Sequence, residues 1–225
     1  MLIVLEGLDG AGKTTQISLL QNYFKSQGSN VKYLHFPRFD TPIYGDLIAR
    51  FLRGDLGTVE SVHPMLVALL FAEDRRSASE VLKKWLDEGN VVILDRYIYS
   101  NIAFQCAKIK DITLSKELRD WIFDLEFNKF KIPVPELNLF LDVPLNFVDS
   151  KLAAAREGEE REYLKGKQDI HEEKISFQSN VREIYLDECK KNEGLIRVDC
   201  SDERGNMLEV ESVFNKIISF INVVK

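Results

Sequence analysis

The chain has 225 residues, 45% of them hydrophobic and 29% charged, enough for one soluble domain around one core. Its formal net charge of −6 argues against a general nucleic-acid or membrane-surface binder, so any basic surface must be local. Cys106, Cys189 and Cys200 are too few and too far apart for a disulfide framework or a zinc site, and no stretch reaches the roughly 18 apolar residues that span a membrane.

The first apolar run, 2–6, reads as a core strand rather than a signal peptide: no basic region precedes it, and Gly7-Leu8-Asp9-Gly10-Ala11-Gly12-Lys13-Thr14-Thr15 follows at once. The pattern G-x-x-x-x-G-K-[ST] between a strand and a helix is a phosphate-binding loop. Its glycines free the backbone to turn N–H groups inward around a phosphate at a helix N-terminus. Lys13 supplies a mobile charge for the β and γ phosphates of a nucleoside triphosphate such as ATP, and the Thr14 hydroxyl suits Mg²⁺. A helix is expected over 14–26, closed by Gly28, then a strand over 31–36 ending in Phe36-Pro37-Arg38. A long helix is expected over about 61–88, with Val67, Leu70, Phe71, Val81 and Leu82 among its apolar positions and Gly89 at its end. Further strands are expected at 91–95, 137–142 and 195–199. The run of alternating strands and helices predicts an α/β fold, a five-stranded parallel sheet with helices on both faces, in a single domain over 1–225. One stretch breaks the pattern: 153–171 is polar and densely charged, suited to a solvated loop or a mobile lid.

Asp95-Arg96-Tyr97 closes the buried strand 91–95, and ligands gather at the carboxyl ends of parallel strands. A carboxylate and a guanidinium there suit Mg²⁺ and phosphate oxygens, or else an ion pair that caps the strand. Phe71 and Arg75 are four apart on one helix face, as are Asn101 and Gln105. A ring with a forked donor, and a pair of amides, suit a planar base. Taken alone, the same residues also suit a core ring, a surface charge and an exposed helix face.

The phosphate loop with Asp95-Arg96-Tyr97 resembles thymidylate kinase, within the nucleoside monophosphate kinases of the adenylate-kinase-like P-loop fold. Leu70-Phe71-Ala72-Glu73-Asp74-Arg75, Ser100-Asn101, Phe104-Gln105 and Val198-Asp199-Cys200-Ser201 extend the likeness from residue 2 to about 220. The resemblance implies transfer of the γ-phosphate of ATP to dTMP, forming dTDP and ADP with Mg²⁺, by a homodimer; the few, widely spaced cysteines point to a reducing cytoplasm, and the net charge to no nucleic-acid or membrane partner. It implies that Phe71 stacks on the base, that Arg75, Asn101 and Gln105 read it, and that Asp9 turns toward the acceptor sugar. Arg38 would contact the acceptor phosphate, one place earlier than in the family's Phe-Pro-x-Arg form, together with Arg96. Lys13 and the loop would hold ATP, and Thr14 and Asp95 would hold Mg²⁺. Position 10 is Gly rather than Arg, so the catalytic cations are sought in the lid. Arg156 and Arg161 are the first candidates there, with Lys165 and Lys167 beside them. Tyr163 is a candidate sugar contact, and His171 a candidate lid anchor.

The same residues leave two other readings open. One is a deoxynucleoside kinase, which needs a carboxylate base after the second strand, where this chain has Phe36-Pro37-Arg38. The other is a P-loop switch that hydrolyses its nucleotide without an acceptor.

Overall fold

A computed structural model describes residues 1–59, 61–155, 164, 169, 175–191 and 194–224. The apolar runs form five parallel strands, β1 (Leu2–Gly7), β2 (Val31–His35), β3 (Val91–Asp95), β4 (Leu137–Asp142) and β5 (Leu195–Asp199), in the order β2-β3-β1-β4-β5. β1 is central, with all of its residues buried, as a strand covered on both faces must be. Fully buried Ile3, Val4 and Leu5 each contribute about 2 kcal/mol by leaving water. The chain leaves β1 toward β3 and β2 and later returns on the other side to β4 and β5. Ligand crevices open at such a reversal, at the carboxyl ends of the strands.

α1 (Lys13–Ser26) buries Ile17, Leu20 and Phe24 along one stripe and packs with α8 (Val210–Val224) over one sheet face. The other face carries α3 (Pro64–Asp87), α4 (Ile98–Cys106), α5 (Ile112–Phe123) and α7 (Ile175–Lys190). α3 starts three residues later than the apolar spacing predicts. Pro64, which has no N–H to leave unpaired, takes its first turn, and His63 Nδ1 accepts from the Met65 N–H at 3.2 Å. Gly89 follows its end at φ 75°, the left-handed exit that glycine adopts without strain. Val81, expected on the apolar face, is 37% exposed.

Among the elements that the sequence did not place, two bear on the site. α2 (Tyr44–Leu52) packs Ile48, Phe51 and Leu52 on Val67 of α3 as a small second core. After α5 the helix runs on as a π-helical turn, Asp124–Lys129, in which the Phe130 N–H donates to Leu125 O five residues back at 2.8 Å. α6 (Leu145–Ala155) takes in the first three residues of the expected lid. Arg156, Arg161, Tyr163, Lys165, Lys167 and His171 lie outside the described residues, as does the rest of the segment 153–171 apart from Leu164 and Asp169.

Candidate functional site

The register of the sheet assembles the site. Leu5 pairs with Asp95 and Gly7 with Leu141, so the loop after β1 emerges between the ends of β3 and β4. Gly12, at φ 80°, is the N-cap of α1, and Gly10 is also left-handed at φ 74°. Leu8 and Ala11 are buried beneath the loop, and the Ala11 N–H donates to Leu8 O at 3.3 Å. Lys13 folds back over it, donating to Leu8 O at 3.1 Å and Gly7 O at 3.5 Å. Thr14 and Thr15 are exposed on the first turn of α1, and Thr14 lines a cleft of about 440 Å³.

Asp95 faces this loop. Its Oδ1 is buried and has no hydrogen-bond partner among the described residues, with Lys13 Nζ 3.9 Å away. Its Oδ2 lies 3.5 Å from His35 Nδ1. Burial acts to raise the Asp95 carboxyl, but the Lys13 cation and His35 outweigh it and hold it below the usual carboxylate range. Lys13 moves the other way: burial and the nearby Arg96 cation pull its ammonium below the ordinary lysine value, against the pull of Asp95 and Asp9.

Arg96 has a left-handed backbone, φ 66°, a conformation costing about 1 kcal/mol without glycine. Its contacts hold it there. The N–H donates to Leu5 O at 2.9 Å, and the guanidinium turns back over the loop to Gly7 O at 2.7 Å, Asp9 Oδ1 at 2.7 Å and Ser100 Oγ at 3.1 Å. Asp9 also accepts from Gln178 Nε2 of α7 at 3.1 Å. Beneath Arg96 lies Glu6, fully buried in β1, which accepts from Ser100 Oγ at 2.5 Å and from the Tyr97 N–H, at the start of α4, at 3.0 Å. Burial pushes the Glu6 carboxyl up, against the Ser100 hydrogen bond and Arg96.

The far end of the cleft is apolar and amide-lined. Phe71, Arg75, Asn101, Phe104 and Gln105 converge there from α3 and α4. Arg75 is not a surface charge: it is 2% exposed and forms a two-pronged pair with Glu126, Nε to Oε2 at 2.5 Å and Nη2 to Oε1 at 2.7 Å. Burial works against its cation, but Glu126 outweighs that and lifts Arg75 above the ordinary arginine value. Asn101 Nδ2 donates to Glu126 Oε1 and to Ala68 O, each at 3.0 Å. Gln105 Oε1 accepts from Lys108 Nζ at 2.7 Å. Arg38 sits between the cleft residues Pro37 and Phe39, but its guanidinium turns to α3. Nε donates to Asp74 Oδ1 at 2.9 Å and Nη2 to Asp74 O at 2.7 Å, with Ser77 Oγ also in contact.

The structure therefore brings Asp9, Lys13, Thr14, Phe71, Arg75, Asp95, Arg96, Asn101 and Gln105 around one cleft, and leaves the Arg38 fork on Asp74. Sequence reasoning missed Glu6, His35, Asp74, Glu126 and Gln178. Only Glu6 carried a signal, as a lone carboxylate inside an apolar strand.

The family model described as thymidylate kinase matches residues 5–210. A probable thymidylate kinase of Thermococcus kodakarensis is 32% identical over 229 residues, covering 100% of this chain and 98% of that protein. One of Archaeoglobus fulgidus is 32% identical over 227 residues with the same coverage. The solved thymidylate kinase of Candida albicans superposes with a TM-score of 0.73 at 28% identity, covering 99% of this chain and 91% of that one. With strand order, phosphate loop and cleft in agreement, the chain belongs to the thymidylate kinase family, P-loop enzymes that pass the γ-phosphate of ATP to dTMP and release dTDP and ADP.

Proposed function

We propose that the cleft divides this transfer between a donor half and an acceptor half that meet at Arg96. The observation that carries the division is the guanidinium of Arg96, which bonds the donor loop at Gly7 O and, within the same fork, Asp9 beside the acceptor space. Lys13 and the loop N–H groups hold the ATP phosphates. Asp9 faces the acceptor sugar, and Arg96 the acceptor phosphate. Phe71 stacks on the base, and Arg75, Asn101 and Gln105 border its edge. Arg38, committed to Asp74, acts on the acceptor phosphate only by leaving that pair.

Thr14 and Asp95 suit Mg²⁺. Asp95 keeps a buried carboxylate oxygen without a hydrogen-bond partner among the described residues, facing the same cleft as Thr14, as a hard-cation ligand should. Bound there, the ion would neutralise charge between the β and γ phosphates. An acceptor phosphate is already nucleophilic near neutral pH, so the residues need supply only alignment and charge. Arg156, Arg161 and Tyr163 remain the candidates for the charge and sugar contacts of a closing lid.

The chain acts as a homodimer in the cytoplasm on this reading. An apolar groove on α2 and α3, lined by Leu47, Leu66 and Leu69, supports the dimer, with Leu66 64% exposed. Three free cysteines support a reducing compartment, and no described helix is long and apolar enough to cross a membrane.

ADP release with a panel of nucleosides and monophosphates, with and without Mg²⁺, tests the reading. Rapid ADP release is expected only with dTMP-like monophosphates and Mg²⁺. Equal release without an acceptor, or preference for a free nucleoside, overturns it. A monomeric mass by light scattering overturns the dimer.

A further inference from the structure

The base end of the cleft rests on a residue that does not line it. Glu126 is fully buried on the π-helical turn and reaches both base-edge residues at once, Arg75 from α3 and Asn101 from α4. A carboxylate paired with a guanidinium only accepts hydrogen bonds, and so does a backbone carbonyl. The Asn101 group lying between Glu126 Oε1 and Ala68 O must therefore be the NH₂, with both of its hydrogens used. Its Oδ1 is left buried and without a hydrogen-bond partner among the described residues, on a side chain that lines the cleft. Arg75 spends Nε and Nη2 on the same carboxylate, and its Nη1 makes no hydrogen bond with the described residues. From these two residues, what remains for a ligand is an acceptor, Asn101 Oδ1, and donors on the Arg75 guanidinium, Nη1 foremost. A 4-oxopyrimidine offers the complement, an N3–H donor beside an O4 acceptor. A 4-aminopyrimidine offers the reverse and would leave buried polar groups facing their like.

We propose that Glu126 is a positioning residue that sets the hydrogen-bonding polarity of the base pocket, fixing Asn101 with its oxygen toward the ligand so that the enzyme takes 4-oxopyrimidine monophosphates and rejects 4-aminopyrimidine ones. The π-helical turn is what delivers it. One extra residue per turn carries Glu126 inward, while Ile122 of α5 and Phe127 within the turn stay on the core. The proposal rests on the reading that Phe71, Arg75 and Asn101 hold the base.

The decisive variant is Glu126→Gln. Its amide accepts from Arg75 through one atom and presents an N–H to Asn101 through the other, which favours the flipped Asn101 with NH₂ toward the ligand. The ratio of kcat/KM for dTMP to that for dCMP should fall by about tenfold or more, with kcat at saturating dTMP within about threefold and KM for ATP unchanged. Glu126→Asp, still acceptor-only, should restore the ratio even if KM for dTMP rises. A folded Glu126→Gln protein with the original ratio, or with KM rising equally for dTMP and ATP, overturns the proposal. Asn101→Ala separates the two readings. If it leaves both the ratio and KM for dTMP unchanged, the base-pocket assignment itself fails; if it shifts them while Glu126→Gln does not, only the role of Glu126 fails. Should Glu126→Gln not fold, a crystal structure of the unsubstituted chain with dTMP decides. Glu126 is expected within about 3.2 Å of both Arg75 and Asn101, with Asn101 Oδ1 against N3. Withdrawal of Glu126 from Asn101 on binding overturns the proposal.

Discussion

The donor loop and the base pocket solve the same problem, holding a polar ligand in a dry place, with opposite architectures. In the loop, Lys13 is satisfied by carbonyls five and six residues away, and glycine backbone does most of the shaping. In the pocket, Arg75 meets Glu126 across 51 residues and Asn101 meets Ala68 across 33. The loop is thus a local object placed on a fold, whereas the pocket exists only when α3, α4 and the π-helical turn have docked. Substitutions should therefore separate activity from stability in the loop and couple them in the pocket.

Lys13→Met should show the largest effect on turnover. Removing one cation from a developing charge costs about 10²–10³ in kcat. The fold should lose less than in the pocket, because Gly7 O keeps its bond from Arg96 and Leu8 O its bond from the Ala11 N–H, and Asp95, without the Lys13 cation, still has His35 beside it. A kcat within tenfold of the parent, or a large fall in melting temperature, would break the contrast from the donor side.

Arg75→Ala should do both kinds of damage. KM for dTMP should rise far more than KM for ATP, and unfolding in urea should show a loss of about 3–5 kcal/mol, the usual consequence of leaving a buried carboxylate unpaired. The paired replacement Arg75→Met with Glu126→Met sharpens the point: it should recover most of the stability and none of the dTMP affinity. Recovery of both would mean that the pair is only a strut.

The same contrast explains what the residues revealed in advance. The loop, the Asp95-Arg96 pair and the five strands are written in contiguous spacing, and each of the five expected strands lies within one residue of its expected ends. Phe71, Arg75, Asn101 and Gln105 could be grouped by helical spacing and resemblance, but not their partners. Glu126 lies where the chain leaves the 3.6-residue period, so its inward direction cannot be read from an α-helical pattern. Asp74, one residue from Arg75, faces Arg38 instead, and nothing in Glu73-Asp74-Arg75 says which charge points where. Long-range ion pairs are chosen by docking, and a single sequence carries no mark of them.

Gly10→Ala should have a smaller and again local effect. A Cβ at this position, φ 74°, would lie 2.9 Å from Lys151 Cβ on α6, and the left-handed backbone alone costs about 1–2 kcal/mol. Gly12→Ala meets no neighbour within 4 Å at φ 80°, so it carries the backbone cost alone. Equal losses in urea from the two variants would show that α6 yields to the loop.

The smallest effects test whether two architectures mean two folding units. Cys106 ends α4, the helix of the base pocket, and Cys200 follows β5 at the far edge of the sheet; both belong to one continuous core. Burial pushes the Cys106 thiol up to about 11 and the Cys200 thiol up to about 12, from an ordinary value of 9.0. The unfolded thiols therefore ionise first as pH rises, and stability, fully present below about 9, is lost as pH climbs toward those values. Cys106→Ser and Cys200→Ser should each flatten part of that alkaline decline. With the half-buried Cys189 replaced by Ser, maleimide labelling at pH 8 then reads the opening of each side separately. One core predicts one opening: both thiols should react with the same urea dependence. Saturating dTMP at 100 times its Kd should slow both by about 100-fold, because a ligand of the folded state protects everything that opens with it. If dTMP protected Cys106 and left Cys200 as reactive as before, the pocket would open on its own. The difference between the two halves would then lie in the fold itself and not only in how each site is assembled on it.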